Sequence, residues 1–223
     1  MSYVLARNAA ADQLWFEFLT TKMLDRASKR TLLAQGFTPP QLLETHGTWP
    51  FDGAELRASL RVSKSRQVAS LEPLLSCHLL HWGRQSSGCD LYPPLLSGLS
   101  DAPLALFVSG DINCLSRPAI AIVGTRRPSR DGLKLADQMG YQLAAAGFLV
   151  VSGLARGIDA AAHRGALRSG GQTLAVMATG MDRIYPSEHY RLAEEVAAQG
   201  ALLSEFCPRW GTTPGQNSLS NAP

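Results

Sequence analysis

Three short stretches hold the residue types that can grip an anion. GTRRPS (124–129), SGLARGID (152–159) and TGMDRIYP (179–186) each set glycine beside polar or charged residues, soon after an apolar run. Gly124, Gly153, Gly157 and Gly180 would let the backbone approach a ligand and adopt positive φ where a turn needs it. Arg126, Arg127, Arg130 and Arg156 add guanidinium groups, whose fork of N–H donors matches phosphate geometry. Each turn precedes helix-like sequence, and a helix start offers unpaired N–H groups backed by the positive end of the helix dipole. Glycine turns, helix N-termini and arginines together describe a phosphate site. Arg126, next to Gly124-Thr125, favours that reading, whereas Arg127 and Arg130 fit a solvated surface equally well. Ser129 and Asp159 stand where they could cap the following helices.

The charge distribution points the same way. Residues 118–171 carry 7 Lys/Arg against 3 Asp/Glu, while 1–117 carry 11 against 10 and 172–223 carry 3 against 5. The net charge of +3 is therefore a local excess at the glycine turns, which suits a phosphate-bearing ligand better than a general membrane patch. No apolar run reaches the roughly 18–20 residues of a membrane span. No secretion signal is read at the N-terminus, and no membrane partner is expected. Cys77, Cys89, Cys114 and Cys207 are scattered without a CxxC pair, so no metal site is expected and a reducing cytoplasm is.

Several chemistries lack their residues. GxxxxGK[ST] does not occur, so Walker-type ATP hydrolysis has no support, and no cofactor is expected. GxGxxG is missing from the first turn, and the second strand ends in Ser152 instead of an acid that would hold a ribose diol. Ser152, Asp159 and His163 suggest a hydrolase triad only weakly, because no GxSxG elbow surrounds the serine. The simpler reading is that Asp159 satisfies turn amides and His163 packs at the turn or bonds to it. Glu188 follows a proline at a helix start, where a carboxylate complements the dipole. No pair of residues demands a catalytic role.

The elements that hold these turns are regular from Pro118 onward. AIAIV (119–123), FLVV (148–151), TLAVMA (173–178) and ALLSEF (201–206) are continuous apolar strands alternating with helical runs. Such alternation gives an α/β fold, a Rossmann-like parallel sheet with helices on both faces and its turns gathered at one edge. ALFVSGD reads as a further short strand stopped at Gly110-Asp111. Before it, residues 1–82 read as a small all-α N-terminal domain, with helical candidates in NAAADQLWFEFLTTKM, SKRTLLAQ and Ser63–His81. The stripe Val68, Leu71, Leu74, Leu75 and Leu79 supports the last of these. The boundary is expected in Gly83–Gly88, with the Rossmann-like domain over 89–207.

AIAIVGTRRPSRDG, VVSGLARGIDAAAHRGAL, LAVMATGMDRIYP and ALLSEF, in this order, resemble the family of DNA-processing protein A, also called DprA or Smf. LYPPLLSGLSDAPLALFVSGD resembles the family's lead-in, so the likeness runs from about Leu91 to Glu205. It implies a non-enzymatic protein that binds single-stranded DNA, protects incoming strands and loads the RecA recombinase in natural transformation, and it admits a homodimer. The ligand-facing set it implies is Gly124, Thr125, Arg126, Ser152, Gly153, Ala155, Arg156 and Gly157. Tyr185 is the one aromatic in the turns that could stack a base, or it shapes the turn with Pro186. The alternatives are a nucleotide-binding sensor and an N-glycosidic nucleotide hydrolase of a related fold. The hydrolase would need a PGGxGTxxE-type turn, and TGMDRIYP offers Gly180 without the glycine run or the acid. After ALLSEFCP the family continues through Phe-Pro and Arg-Asn-Arg, whereas this chain reads RWGTTPGQNSLSNAP. A domain incomplete at its C-terminus, by truncation or frameshift, and a disordered tail over 208–223 are therefore expected.

Overall fold

The computed structural model describes Trp15, Phe18, Leu19 and residues 24–35, 78–81 and 92–206. The tail expectation at 208–223, the stripe Val68–Leu75 and the boundary at 83–88 lie outside these residues. Helix α1 (Arg26–Ala34) opens on Asp25, whose carboxylate accepts from the Ser28 amide at 2.7 Å. Strand β1 is His78–His81, short helix α2 is Pro94–Ser97, β2 is Ala105–Gly110, and a 3₁₀ turn follows over Ile112–Ser116. Then come β3 (Ala119–Ala121), α3 (Arg130–Ala145), β4 (Leu149–Ser152), α4 (Ile158–Arg168), β5 (Thr173–Val176), α5 (Tyr190–Gln199) and β6 (Ala201–Ser204). A 3₁₀ turn over Ser187–His189 leads into α5.

One six-stranded sheet runs in the order β1-β2-β6-β5-β4-β3. β3 to β6 are parallel, and β2 and β1 add two antiparallel strands beyond β6. His78–His81 was expected at the end of a helix and is instead a strand, with His78 opposite Val108 and His81 opposite Ala105. The helical period of its leucines is overridden because β2 otherwise leaves a row of unpaired backbone groups at the sheet edge. The sheet thus begins before the 83–88 boundary. Within the N-terminal part, Trp15, Phe18 and Leu19 are helical and buried, and α1 docks by Arg26 and Arg30 onto the carbonyls of Asp101 and Ala102.

Alternation along each strand separates two faces. Val150 points to one side, into a cluster with Ile122, Ala144, Ala162 and Ala166. Leu149, Leu174, Leu203, Leu106 and Val108 share a cluster on the other. The strand order is monotonic from β3 to β6, so three right-handed crossovers place α3, α4 and α5 on the first face. The second face receives α2 and the 3₁₀ turn through Leu96, Ile112 and Leu115. Helices lie on both faces, unevenly. The thin cover leaves an apolar groove of about 810 Å³ beside Tyr92, Leu106, Leu115 and Leu203, in which Val176 is 43% exposed.

α3 and α4 pack closely because small residues line their contact. Ala136, Gly140 and Ala144 of α3 are buried, as are Ala162, Gly165 and Ala166 of α4. A Cβ on Gly165 would lie 1.9 Å from the Asp137 carbonyl oxygen, and one on Gly140 would lie 2.3 Å from that of Ala162. Both neighbours are backbone, so a methyl must push the helices apart. Gly165→Ala should therefore lower unfolding stability by about 1–3 kcal/mol, the cost of overpacking, despite its gain in helix propensity. Urea denaturation followed by circular dichroism reads the effect, and an unchanged or stabilised variant would contradict the close packing.

Candidate functional site

The turns after β3, β4 and β5 emerge together at the C-terminal edge of the parallel strands, where open α/β sheets bind ligands. They enclose a notch of about 60 Å³ lined by Arg126 from the first turn, Gly153, Ala155 and Arg156 from the second, and Ala178, Thr179, Tyr185 and Pro186 from the third. This volume suits a phosphate group and falls far below the roughly 300 Å³ at which small-molecule pockets begin.

The anion that lies against the bare backbone is the protein's own. Asp159 is buried, and its two carboxylate oxygens accept from the amides of Gly124 at 3.3 Å and Gly153 at 3.1 Å. One side chain thus joins the first turn to the second. Asp159 was a candidate helix cap, yet the N-cap of α4 is Gly157, which makes no side-chain cap bond. The Ile158 amide is also taken, by the Thr125 carbonyl at 3.3 Å. The amides of Gly124, Gly153 and Ile158 are thus committed to acceptors within the protein.

The glycines serve the same joint. Gly157 has φ +82, and a Cβ there would meet the Thr125 carbonyl oxygen at 2.3 Å and Pro128 Cδ at 2.9 Å. A Cβ on Gly124 would strike the Ile158 side chain at 2.7 Å. The space that these two leave open is filled by the neighbouring turn, not by solvent. Leu154, buried at φ +58, is the non-glycine residue in the left-handed region here. Its carbonyl accepts from His189 Nδ1 at 2.8 Å, which anchors this uncommon conformation to the third turn.

The expected residues therefore divide. Arg126, Gly153, Ala155, Arg156 and Tyr185 line the notch. Gly124, Thr125, Arg127 and Gly157 build the flanking turns, and the Thr125 hydroxyl accepts from the Arg127 amide at 3.1 Å. Gly180 stands off the lining, its carbonyl accepting from the Arg183 amide, and Ala178 and Thr179 take its expected place. Ser152 is not among the notch-lining residues. It is buried, and its hydroxyl donates to the Ile122 carbonyl at 2.6 Å. Ser129 caps α3, accepting from the Gly132 amide at 3.1 Å. His163 bonds to β5, not to the turn, through Thr173 Oγ1 at 2.7 Å. Because Thr173 donates to the Val150 carbonyl, His163 Nδ1 is the donor and its Nε2 is left without a partner among the described residues. Serine and histidine have separate internal partners, so the three residues form no triad.

Glu188 is the residue whose part was missed. Two of its oxygens receive Nε and a terminal nitrogen of Arg156, the second bond at 2.9 Å. The Arg156 hydrogen bond holds the Glu188 carboxyl below the usual carboxylate range, and Glu188 in turn raises Arg156. Thirty-two positions separate the two, and a local reading of helix dipoles had no signal for the pairing. Among the described residues no group of three His, Cys, Asp or Glu could hold a metal, and no helix is long and apolar enough to cross a membrane.

The sheet and its turns define a Rossmann-like protein with an arginine-lined notch at its strand ends. The chain belongs to the family of DNA recombination-mediator protein A, which it matches over residues 86–219. DNA processing protein DprA of Streptococcus pneumoniae is 42% identical over 119 residues, covering 53% of this chain and 42% of that protein. Protein Smf of Escherichia coli is 42% identical over 118 residues, 52% of this chain and 32% of that one. The chain thus spans less than half the length of these curated relatives. The crystal structure of the S. pneumoniae protein matches with a TM-score of 0.61 at 28% identity, over 92% of this chain and 65% of that one. DNA processing protein A from Helicobacter pylori, described by its single-stranded-DNA binding mode, matches with a TM-score of 0.51 at 32% identity, over 55% of this chain and 56% of that one.

Two measurements check the framework of the site. Asp159→Ala strands two amides and should cost about 2–3 kcal/mol of stability. It should also slow no amide exchange and speed that of Gly124 and Gly153, which hydrogen-exchange NMR reads directly. For His163, burial pushes the imidazole down to about 4, with a smaller push from His189. The unfolded chain takes up that proton near the ordinary value of 6.5, so stability is whole above it and falls as pH drops from there towards about 4. His163→Gln should flatten that acid-side slope in urea midpoints measured across the window.

Proposed function

We propose that this protein binds single-stranded DNA by its phosphates at the strand-end notch, without catalysing a reaction. The observation that carries the reading is the convergence of Arg126 and Arg156, from two different turns, on a notch of phosphate size. Guanidinium contacts to the backbone give affinity with little sequence preference. Exposed Tyr185 stands at the notch as a surface on which a neighbouring base can stack. Membership of the family and the single-stranded-DNA binding of the H. pylori protein support the same ligand. Protection of incoming strands and their delivery to the RecA recombinase, in the cytoplasm and with a homodimer as an admissible assembly, complete the role we propose.

Other readings fit less well. A sensor that encloses a mononucleotide needs a larger cavity than 60 Å³. The large groove on the second sheet face is apolar, with Arg117 and Glu205 its charged lining residues, and offers no paired cations. An N-glycosidic hydrolase needs a carboxylate free to act on its substrate, and the two beside the notch are engaged, Glu188 by Arg156 and Asp159 by the Gly124 and Gly153 amides.

Fluorescence anisotropy of a labelled oligothymidylate across a salt series tests the proposal. Arg126→Ala should weaken binding by about tenfold or more, as expected for a lost charge-assisted hydrogen bond. It should also reduce the salt slope by about 0.7 for each phosphate contact removed. Efficient displacement by AMP would move the reading to a nucleotide sensor. Failure of the folded chain to bind, or an Arg126→Ala variant with unchanged affinity and slope, would refute it.

A further inference from the structure

The fork between Arg156 and Glu188 is exposed, with side chains 53% and 50% accessible, and such pairs contribute little to folding. Its position gives it another consequence. Arg156 lines the notch, and Glu188 lies two residues beyond Pro186, which lines it too. The bidentate bonds hold the guanidinium plane in one orientation and offset its charge at contact distance. Arg126 has no carboxylate paired to it among the described residues. The notch therefore presents one unpaired arginine and one already balanced by an acid.

We propose that Glu188 is a specificity residue of the notch, setting its charge to accept the single negative charge of an internal phosphodiester over the double charge of a terminal phosphomonoester. The inference rests on reading the notch as a phosphate site. A monoester carries about 1.5–2 negative charges near neutral pH. Its second charge would require the whole charge of Arg156 and meets the Glu188 carboxylate instead. Asp159, bonded to the Gly153 amide behind the notch, adds to the repulsion. A diester needs only Arg126 and whatever donor capacity Arg156 retains. Such a notch favours the interior of a strand over its phosphorylated end and over free mononucleotides.

Glu188→Gln keeps the size of the side chain and removes its charge. The test compares two small probes, thymidylyl-thymidine without terminal phosphate and thymidine monophosphate, by chemical-shift titration of the folded chain. The wild type should bind the diester more tightly. In Glu188→Gln the monophosphate should gain about tenfold, the scale of one removed like charge near the site, while the diester changes by less than about threefold. Glu188→Ala, which also frees the arginine to rotate, should narrow the same ratio and weaken the diester. A ratio unchanged in both variants overturns the proposal, because a merely structural pair would shift both probes alike. Arg126→Ala separates the two claims: if it leaves diester binding intact, the phosphate site itself is wrong, whatever Glu188 does.

Discussion

Asp159 accepts hydrogen bonds from Gly124 and Gly153, the residues at which the first and second turns begin. Much of the strand-end edge depends on that carboxylate. It stands on the first turn of α4 and reaches the ends of two neighbouring strands, so the start of the helix and both turns form one joint. The glycines make the joint sterically admissible, since side chains at Gly124 and Gly157 would collide with Ile158 and with the Thr125 carbonyl. With the turns locked, Arg126 and Arg156 are carried to the same notch by backbone geometry. A buried carboxylate bonded to those two amides leaves neither of them open to another acceptor.

Deeper in the fold the same helix is tied to the sheet by a polar chain. His163 donates to Thr173 Oγ1, which donates to the Val150 carbonyl, joining α4 to β5 and β4 beneath the turns. Buried polar groups of this kind favour one arrangement, because any shift leaves a donor unpaired. On the other flank of α4, glycine and alanine bring α3 to backbone contact. The region that positions the notch is thus held from below and from the side. Among the described residues the second sheet face, where Val176 is half-exposed, has no comparable cover.

Much of this architecture is legible in the chain, for a plain reason. Parallel strands in the middle of a sheet must be largely apolar, and FLVV, TLAV and ALLS are; turns between them must be polar or glycine-rich, and they are. β1 escaped the same logic. His-Leu-Leu-His has no alternation to distinguish it from a helix end, and its strand form comes from an edge of β2 that lies more than twenty residues away in sequence. Arg126, Arg156 and Tyr185 line the notch, whereas the Ser152 hydroxyl turns inward, and a serine at a strand end reads alike whether its hydroxyl faces solvent or a neighbouring carbonyl.

From Pro118 onward the sequence by itself determined the order of strands and helices, the collection of glycine turns at one edge, and the arginines available there. Those are consequences of local pattern and of the handedness of crossovers. Tertiary structure decided which partner each polar group takes. A glycine states that space is required without saying what fills it, and a carboxylate states that it needs donors without naming them. Asp159 found the amides of two turns, and Glu188 found Arg156 across thirty-two positions, because hydrogen bonds depend on distance and angle in space, which only the folded chain supplies.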